Sequence, residues 1–279
     1  MKVLYIINEA SFYMQMAWVS LSTLRMYNKT IPIEILMILD GQRDNRYIGQ
    51  IDKNDIGVEL FNKDTFVESC RDKNIKFTFI ENLDLKEERG YHPAQRMAFA
   101  NVADDQILLI DADTFVMADV EPFFESLKKH DLVADLNAWG QYGNKIPYEG
   151  NLLPAFNSGV VLFNYGILNA YGKQVYDLCL KVKGDIHPVG KWLSDAQKAE
   201  GSQGKAGREE AAFSLFVHEN KINYRLSMSH EIQTNDIRCK TMIHHTQIQN
   251  YLKYWAKYFR SGKYDPHPKI SRKLVAKKK

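Results

Sequence analysis

The sequence predicts an α/β fold with a mixed, mostly parallel central sheet flanked by helices. Two observations carry that expectation. Short apolar runs end in turn residues, and the longer stretches between them place apolar residues at helical spacing. Strand, helix, strand, helix in this rhythm argues for crossover connections and hence a parallel sheet.

Taken in order, Lys2 to Ile7 is a short apolar run that reads as a buried first strand. "FYMQMAWVSLSTLRMY" follows, with Met14, Ala17, Val19, Leu21 and Leu24 on one broad helical face. "IPIEILMIL" reads as a second strand ended by Asp40-Gly41. "KDTFVESCRDKN" suggests a short helix and "IKFTFIE" a third strand. "PAQRMAFANVA" opens on Pro93, which suits the first turn of a helix, and "QILLI" is the fourth strand. Beyond it come a helix and a strand in "VEPFFESLKKHDLVADLNAW", a strongly apolar strand in "AFNSGVVLFNYG", and a helix in "ILNAYGKQVYDLCLKV". "KGDIHPVGKWLSDAQKAEGSQGKAGR" has little periodicity and reads as a long loop, either a lid or a peripheral insertion. "EEAAFSLFVHE" resumes as a helix, and "TMIHHTQ" is a last short strand leading into "NYLKYWAKYF", an aromatic-rich end suited to the core, a sugar ring or a homodimer face.

The chain of 279 residues is long enough to bury a core without disulfide staples, and 45% hydrophobic with 25% charged residues is an ordinary globular balance. A net charge of +3 is too small to argue for nucleic acid, and part of it sits in the terminal "SRKLVAKKK". That tail reads as a solvated end or, at most, a peripheral contact with anionic lipid or an acidic partner. Cys70, Cys179 and Cys239 are odd in number and lack metal spacing, which favours free thiols. "MKVLYIINEA" is too short and too soon interrupted for a signal peptide, and no window reaches the ~18 apolar residues of a membrane span. The expectation is a cytoplasmic protein.

The chemistry centres on "QILLIDADTFV", where Asp111 and Asp113 follow a buried strand with Ala112 between them. On an extended chain, residues i and i+2 face the same side. The carboxyl end of a parallel strand is also where open α/β sheets bind ligands. Two hard oxygen donors there suit Mg²⁺ or Mn²⁺ bridging to phosphate. The plainer readings are a turn in which Asp111 caps the next helix, or two solvated acids.

Four segments in fixed order make a more specific pattern. "AQRMAFANV…DQILLIDADTFV", "FNSGVVLFN", "REEAAFSLF" and "MIHHT" resemble the arginine helix with its D-x-D strand, the F-N-[AS]-G-V strand, the D-Q helix and the late histidine strand of the family 8 glycosyltransferases. The resemblance covers most of the chain and implies a GT-A fold over residues 1–260, with a nucleotide-binding half at 1–116, a donor-sugar and acceptor half at 117–260, and a basic tail at 261–279. It implies transfer of a sugar from a nucleotide-sugar donor, typically a UDP-sugar, with Mn²⁺ or Mg²⁺ as cofactor. The acceptor stays open among glycan, lipid, protein and small molecule.

By that resemblance Asp111, Asp113 and His244 hold the metal, Ala112 lies against the donor, and Arg96 reaches a sugar hydroxyl or phosphate. Asn157, Ser158 and Gly159 lie along the donor sugar, and Asp135 matches an aspartate that contacts it. Glu209 binds sugar hydroxyls, and Glu210 sits near the anomeric carbon as charge stabiliser or nucleophile. Asn8 and Tyr13 occupy the place of the nucleotide-base loop.

Three departures from the pattern stand out: Glu210 replaces a glutamine, "NEASFY" replaces the usual acidic base loop, and no lysine follows His244 at the usual spacing. Lys253 is the nearest candidate for a diphosphate contact. The resemblance implies retention of anomeric configuration. An inverting GT-A enzyme, with Glu209, Glu210 or Asp135 as base, is the alternative. A nucleotidyltransferase is disfavoured because "NEASFYMQ" has no glycine to cradle triphosphate, and a non-catalytic sugar-nucleotide sensor is the alternative from another class.

Overall fold

The computed structural model describes residues 1–9, 11–39, 62–71, 73–81, 106–136, 145–164, 167–182, 186–199, 208–234 and 242–245, without the side chains at 11, 12, 168, 169, 196–199, 208, 233, 234, 244 and 245. Its strands are β1 (Lys2–Asn8), β2 (Ile33–Leu39), β3 (Ile75–Glu81), β4 (Gln106–Ile110), β5 (Thr114–Val116) and β6 (Leu132–Leu136). There follow β7 (Lys145–Tyr148), β8 (Asn151–Pro154), β9 (Phe156–Asn164), β10 (Tyr224–Leu226), β11 (Ile232–Thr234) and β12 (Ile243–His245). The helices are α1 (Ser11–Tyr27), α2 (Lys63–Arg71), the short α3 (Glu121–Phe124), α4 (Ile167–Lys181), α5 (Pro188–Ala199) and α6 (Arg208–Glu219).

Seven strands form one sheet in the order β10-β6-β9-β4-β1-β2-β3. β1 with β2, β2 with β3, and β10 with β6 are parallel, while β6 and β9 run antiparallel. β1, β2 and β9 are buried almost end to end. Strands covered on both faces read in just this way, as unbroken apolar runs rather than alternations. Glu34 breaks the run in β2, only 2% exposed, and its carboxylate accepts from Thr78 Oγ1 at 2.6 Å and pairs with Lys76 at 3.0 Å. β3 closes one edge of the sheet and is half-exposed. Two small sheets complete the strands, β11-β12-β5 and the hairpin β7-β8.

The chain divides into two compact units. One holds β1 to β3, α1, α2, β5, β11 and β12; the other holds β6 to β10 and α4 to α6. In the first, α1 carries Arg25 in its last turn, and its guanidinium donates to the carbonyls of Lys73, Asn28 and Ile31 at 2.8–2.9 Å. A cation there suits the negative end of the helix dipole and ties α1 to the loop carbonyls that follow it and to the segment after α2. In the second, Tyr171 of α4 packs edge-on against Phe163 of β9 and Phe213 and Phe216 of α6, with Phe163 tilted to Phe213.

The segment expected to be one long loop after α4 is helical over α5. Pro188 opens that helix, where its missing N–H costs nothing, and this start signal outweighs the weak periodicity behind it. The expected helices around Arg96 and Lys253, and the basic tail, lie outside the described residues.

Candidate functional site

The acids after β4 do not continue the strand. Asp111 is the last link out of β4, Ala112 and Asp113 form a turn, and the chain re-enters a strand at Thr114. The expectation of an extended i, i+2 pair is therefore corrected: the two carboxylates leave a tight turn, not a pleat. The reason lies in Thr114, whose hydroxyl donates back to the Asp111 carbonyl at 2.9 Å, a local bond of the kind that competes with strand pairing.

That hydroxyl belongs to a buried polar thread. Tyr5 OH and Ser20 Oγ are 2.9 Å apart, and Ser20 Oγ and Thr114 Oγ1 are 2.8 Å apart. β1, α1 and the acidic turn are thus joined through three hydroxyls, with Tyr5, Ser20 and Thr114 all 0% exposed. Burial pushes the Tyr5 phenol well above its ordinary range, so it stays neutral and available to the thread. α1 makes further bonds to the same segment. Thr23 Oγ1 accepts from the Val116 N–H at 3.1 Å, Asn28 Oδ1 accepts from the Val120 N–H at 2.8 Å, and Asn28 Nδ2 donates to the Ala118 carbonyl at 3.1 Å.

Asp113 is 9% exposed and Asp111 half-buried. Two acids separated by one residue and partly out of water form a donor set whose charge a cation would offset. Their oxygen chemistry fits Mg²⁺ or Mn²⁺. On the other side of β5, β12 pairs antiparallel, with His244 opposite Phe115 and His245 opposite Thr114. Both histidines therefore lie on the strand next to the acidic turn, with His245 opposite the residue that follows Asp113. Among the described residues no three His, Cys, Asp or Glu side chains converge on a metal position. Asn8 ends β1 fully buried, and Tyr13 on α1 is 7% exposed.

The other predicted residues fall in the second unit. β6 and β9 pair Ala134 with Val161 and Leu136 with Phe156, so one residue of β6 faces four of β9. Asp135 and the run Asn157, Ser158, Gly159 meet at that irregularity, a break in the ladder of the kind found beside functional sites. Asn157 Oδ1 accepts from the Gly159 N–H at 2.8 Å and fixes the bend, while Asp135 accepts from the Leu136 N–H at 2.9 Å. Asn157 and Ser158 are 6% and 8% exposed. Glu209 and Glu210 are half-buried in the first turn of α6, where negative charge suits the helix dipole. Ser214 ties that turn to the start of β9: its hydroxyl donates to the Glu210 carbonyl at 2.8 Å and accepts from the Phe156 N–H at 3.4 Å.

Sequence reasoning missed a cleft of about 660 Å³ in the same unit, between the β7-β8 hairpin and the far end of α6. Tyr148, Glu149, Asn151, His218, Lys221 and Tyr224 are among its lining residues. Tyr148 stacks on His187 at 5.9 Å and meets His218 edge-on at 5.9 Å. Burial first, then the charges of Glu149 and Glu219, push the Tyr148 phenol up. The one trace in the sequence is "YEGN", a hairpin turn carrying glutamate where asparagine or glycine is usual.

No family model matches the sequence, and no curated protein does. Solved glycosyltransferases share the fold. The galactosyltransferase LgtC, solved with donor and acceptor sugar analogues, superposes with a TM-score of 0.50 at 15% identity, over 88% of this chain and 87% of its own. Mouse xyloside xylosyltransferase 1 gives 0.51 at 14% identity, over 89% and 98%. The glycosyltransferase GlyE of Streptococcus pneumoniae gives 0.50 at 15% identity, covering 99% of this chain and 64% of GlyE. At these identities the likeness is one of fold, and the fold is the GT-A type.

Proposed function

We propose that the chain is a metal-dependent glycosyltransferase that moves a hexose-type sugar from a nucleoside diphosphate, a UDP-sugar by the motif resemblance, to an acceptor hydroxyl. One observation carries this reading most: a pair of partly buried acids in a turn pinned from below by the Tyr5, Ser20 and Thr114 hydroxyls. Such a turn is preorganised to hold charge in one place. Asp111 and Asp113 supply the oxygen ligands, and His244 the third position. Bound there, Mn²⁺ or Mg²⁺ would offset the charge of the departing diphosphate.

The remaining roles follow the motif order. Asn157, Ser158 and Asp135 offer hydrogen bonds to sugar hydroxyls, and Gly159 leaves room for the sugar beside the backbone. Glu209 positions the sugar. Glu210 stabilises positive charge at the anomeric carbon, and retention is the expected outcome. Arg96, Lys253, Asn8, Tyr13 and Ala112 complete the donor contacts.

The test is release of nucleoside diphosphate from UDP-sugars with Mn²⁺, with and without EDTA. Asp113→Asn should abolish metal-dependent turnover and leave the circular dichroism spectrum unchanged; full activity in that variant removes the metal assignment. Nuclear magnetic resonance of the product decides stereochemistry, and a linkage inverted relative to the donor sinks retention.

A further inference from the structure

The cleft beside the β7-β8 hairpin contains none of the residues given a catalytic role above, yet it is built at a conformational cost. Among the described residues, three other than glycine have positive φ: Asn74, Glu149 and Lys221. Two of those three line this cleft.

Glu149 (φ 47) and Gly150 (φ 76) form the two-residue turn of the hairpin, a position that favours asparagine or glycine. Lys221 (φ 50) follows α6, where its N–H bonds the His218 carbonyl at 3.1 Å and the Ile222 N–H bonds the Val217 carbonyl at 3.0 Å. That is a Schellman cap, and its left-handed position is ordinarily glycine. At both places a charged residue stands where the backbone favours one with little or no side chain, and both residues line the same cleft. Strain kept at a ligand site is a recognised pattern, and it runs from the observed outlier to the function.

The lining selects the ligand. Glu149 and Glu219 outnumber Lys221, so phosphate and other anions are disfavoured. Apolar side chains such as Leu152, Leu153 and Val217 share the cleft with charged and hydroxyl-bearing ones, a mixture that suits an amphipathic ring better than a lipid chain. Tyrosine rings beside carboxylates, an amide and an ammonium suit a ring with apolar C–H faces and hydroxyl edges. The volume is that of an ordinary ligand pocket. His218 lies on α6 eight residues beyond Glu210, roughly 12 Å along the helix.

We propose that this cleft binds a neutral oligosaccharide and holds the distal part of a glycan acceptor. Only the word "acceptor" rests on the glycosyltransferase reading; the oligosaccharide site stands on the cleft itself.

The experiment uses the full chain and a panel of neutral tri- to pentasaccharides of glucose, galactose and N-acetylglucosamine at millimolar concentration, read by saturation-transfer nuclear magnetic resonance and calorimetry. At least one should bind, and Glu149→Gly and Lys221→Gly should each weaken that binding about tenfold while their melting temperatures stay level or rise. Absence of binding across the panel overturns the proposal. Unchanged affinity in both variants does so too, as does a fall in their melting temperatures. Hydrolysis of UDP-sugar by the unaltered chain without acceptor reports on the transferase reading alone. Cleft-dependent binding without that hydrolysis would keep the oligosaccharide site and discard the transferase.

Discussion

Ser20→Ala is the sharpest test of how the acidic turn is held. The substitution removes one hydroxyl and creates almost no cavity, but that hydroxyl sits between two others, 2.9 Å from Tyr5 OH and 2.8 Å from Thr114 Oγ1. Tyr5 is 0% exposed, so its hydroxyl loses the Ser20 partner where water cannot replace it. Orphaning a buried hydroxyl costs about 1–3 kcal/mol, and the lost bond to Thr114 about 1 kcal/mol more. Alanine returns a few tenths of a kcal/mol in helix propensity. The net loss should be about 2–3 kcal/mol, read as a lower urea midpoint with an unchanged slope. Tyr5→Phe in the same background removes the orphan and should restore about 1 kcal/mol, since Thr114 keeps its bond to the Asp111 carbonyl at 2.9 Å. Metal-dependent turnover should fall in Ser20→Ala, because the turn loses its fixed floor. A loss below about 0.5 kcal/mol, or a double variant weaker than Ser20→Ala, would refute the thread as a structural unit.

The pH profile of stability should carry the mark of Lys73 and Cys70. Burial lowers the Lys73 amine from 10.5 to about 8 and raises the Cys70 thiol from 9.0 to about 12. Between about 8 and 10.5 the unfolded chain holds a lysine proton that the fold does not, so stability rises with pH; above 9 the fold keeps a thiol proton that the unfolded chain loses, so stability falls. The sum is a rise from about pH 8 to 9 that then levels, seen by urea denaturation at several pH values. Lys73→Met should erase that rise and stabilise the protein by about 2 kcal/mol at pH 7. The desolvation penalty of about 3 kcal/mol disappears, while about 1 kcal/mol is lost with the contact over Trp18 at 4.3 Å. A retained rise would overturn the assignment to Lys73. Asn28→Ala orphans the buried Val120 N–H and should cost about 1–3 kcal/mol by the same denaturation assay; Asn28→Asp keeps that acceptor but turns a buried carboxylate oxygen on the Ala118 carbonyl, and should cost at least as much.

The large elements were legible because each carries a strong pattern of its own. "KVLYIIN" and "FNSGVVLFN" are apolar from end to end, and "REEAAFSLF" begins with acids where a helix wants them. The positions of Asp111, Asp113, Asn157 and Glu210 were legible for a related reason, since each lies at the end of such an element. The local shape was not. A three-residue strand such as β5 has no periodicity to read, and it is defined instead by pairing with the remote β12. The turn at Asp113 depends on a threonine bonding backward, and the bend at Asn157 on an amide bonding forward. The cleft was hidden because its residues come from a hairpin and a helix end some seventy positions apart (roughly, as Tyr148 to His218), and neither carries a motif.

The pairing of β5 with β12 also sets an order of events during synthesis. Val116 meets Ile243, so the acidic turn gains its flanking strand only after a loop of roughly 130 residues has closed. A ribosome that has delivered β1, α1 and β5 has delivered every hydroxyl of the polar thread, but not the histidine strand. The two acids and the hydroxyls behind them are thus synthesised well before the strand that flanks them. A chain ending before β12 would lack the strand that pairs with β5, so the flank of the acidic turn depends on the arrival of a segment made more than a hundred residues later.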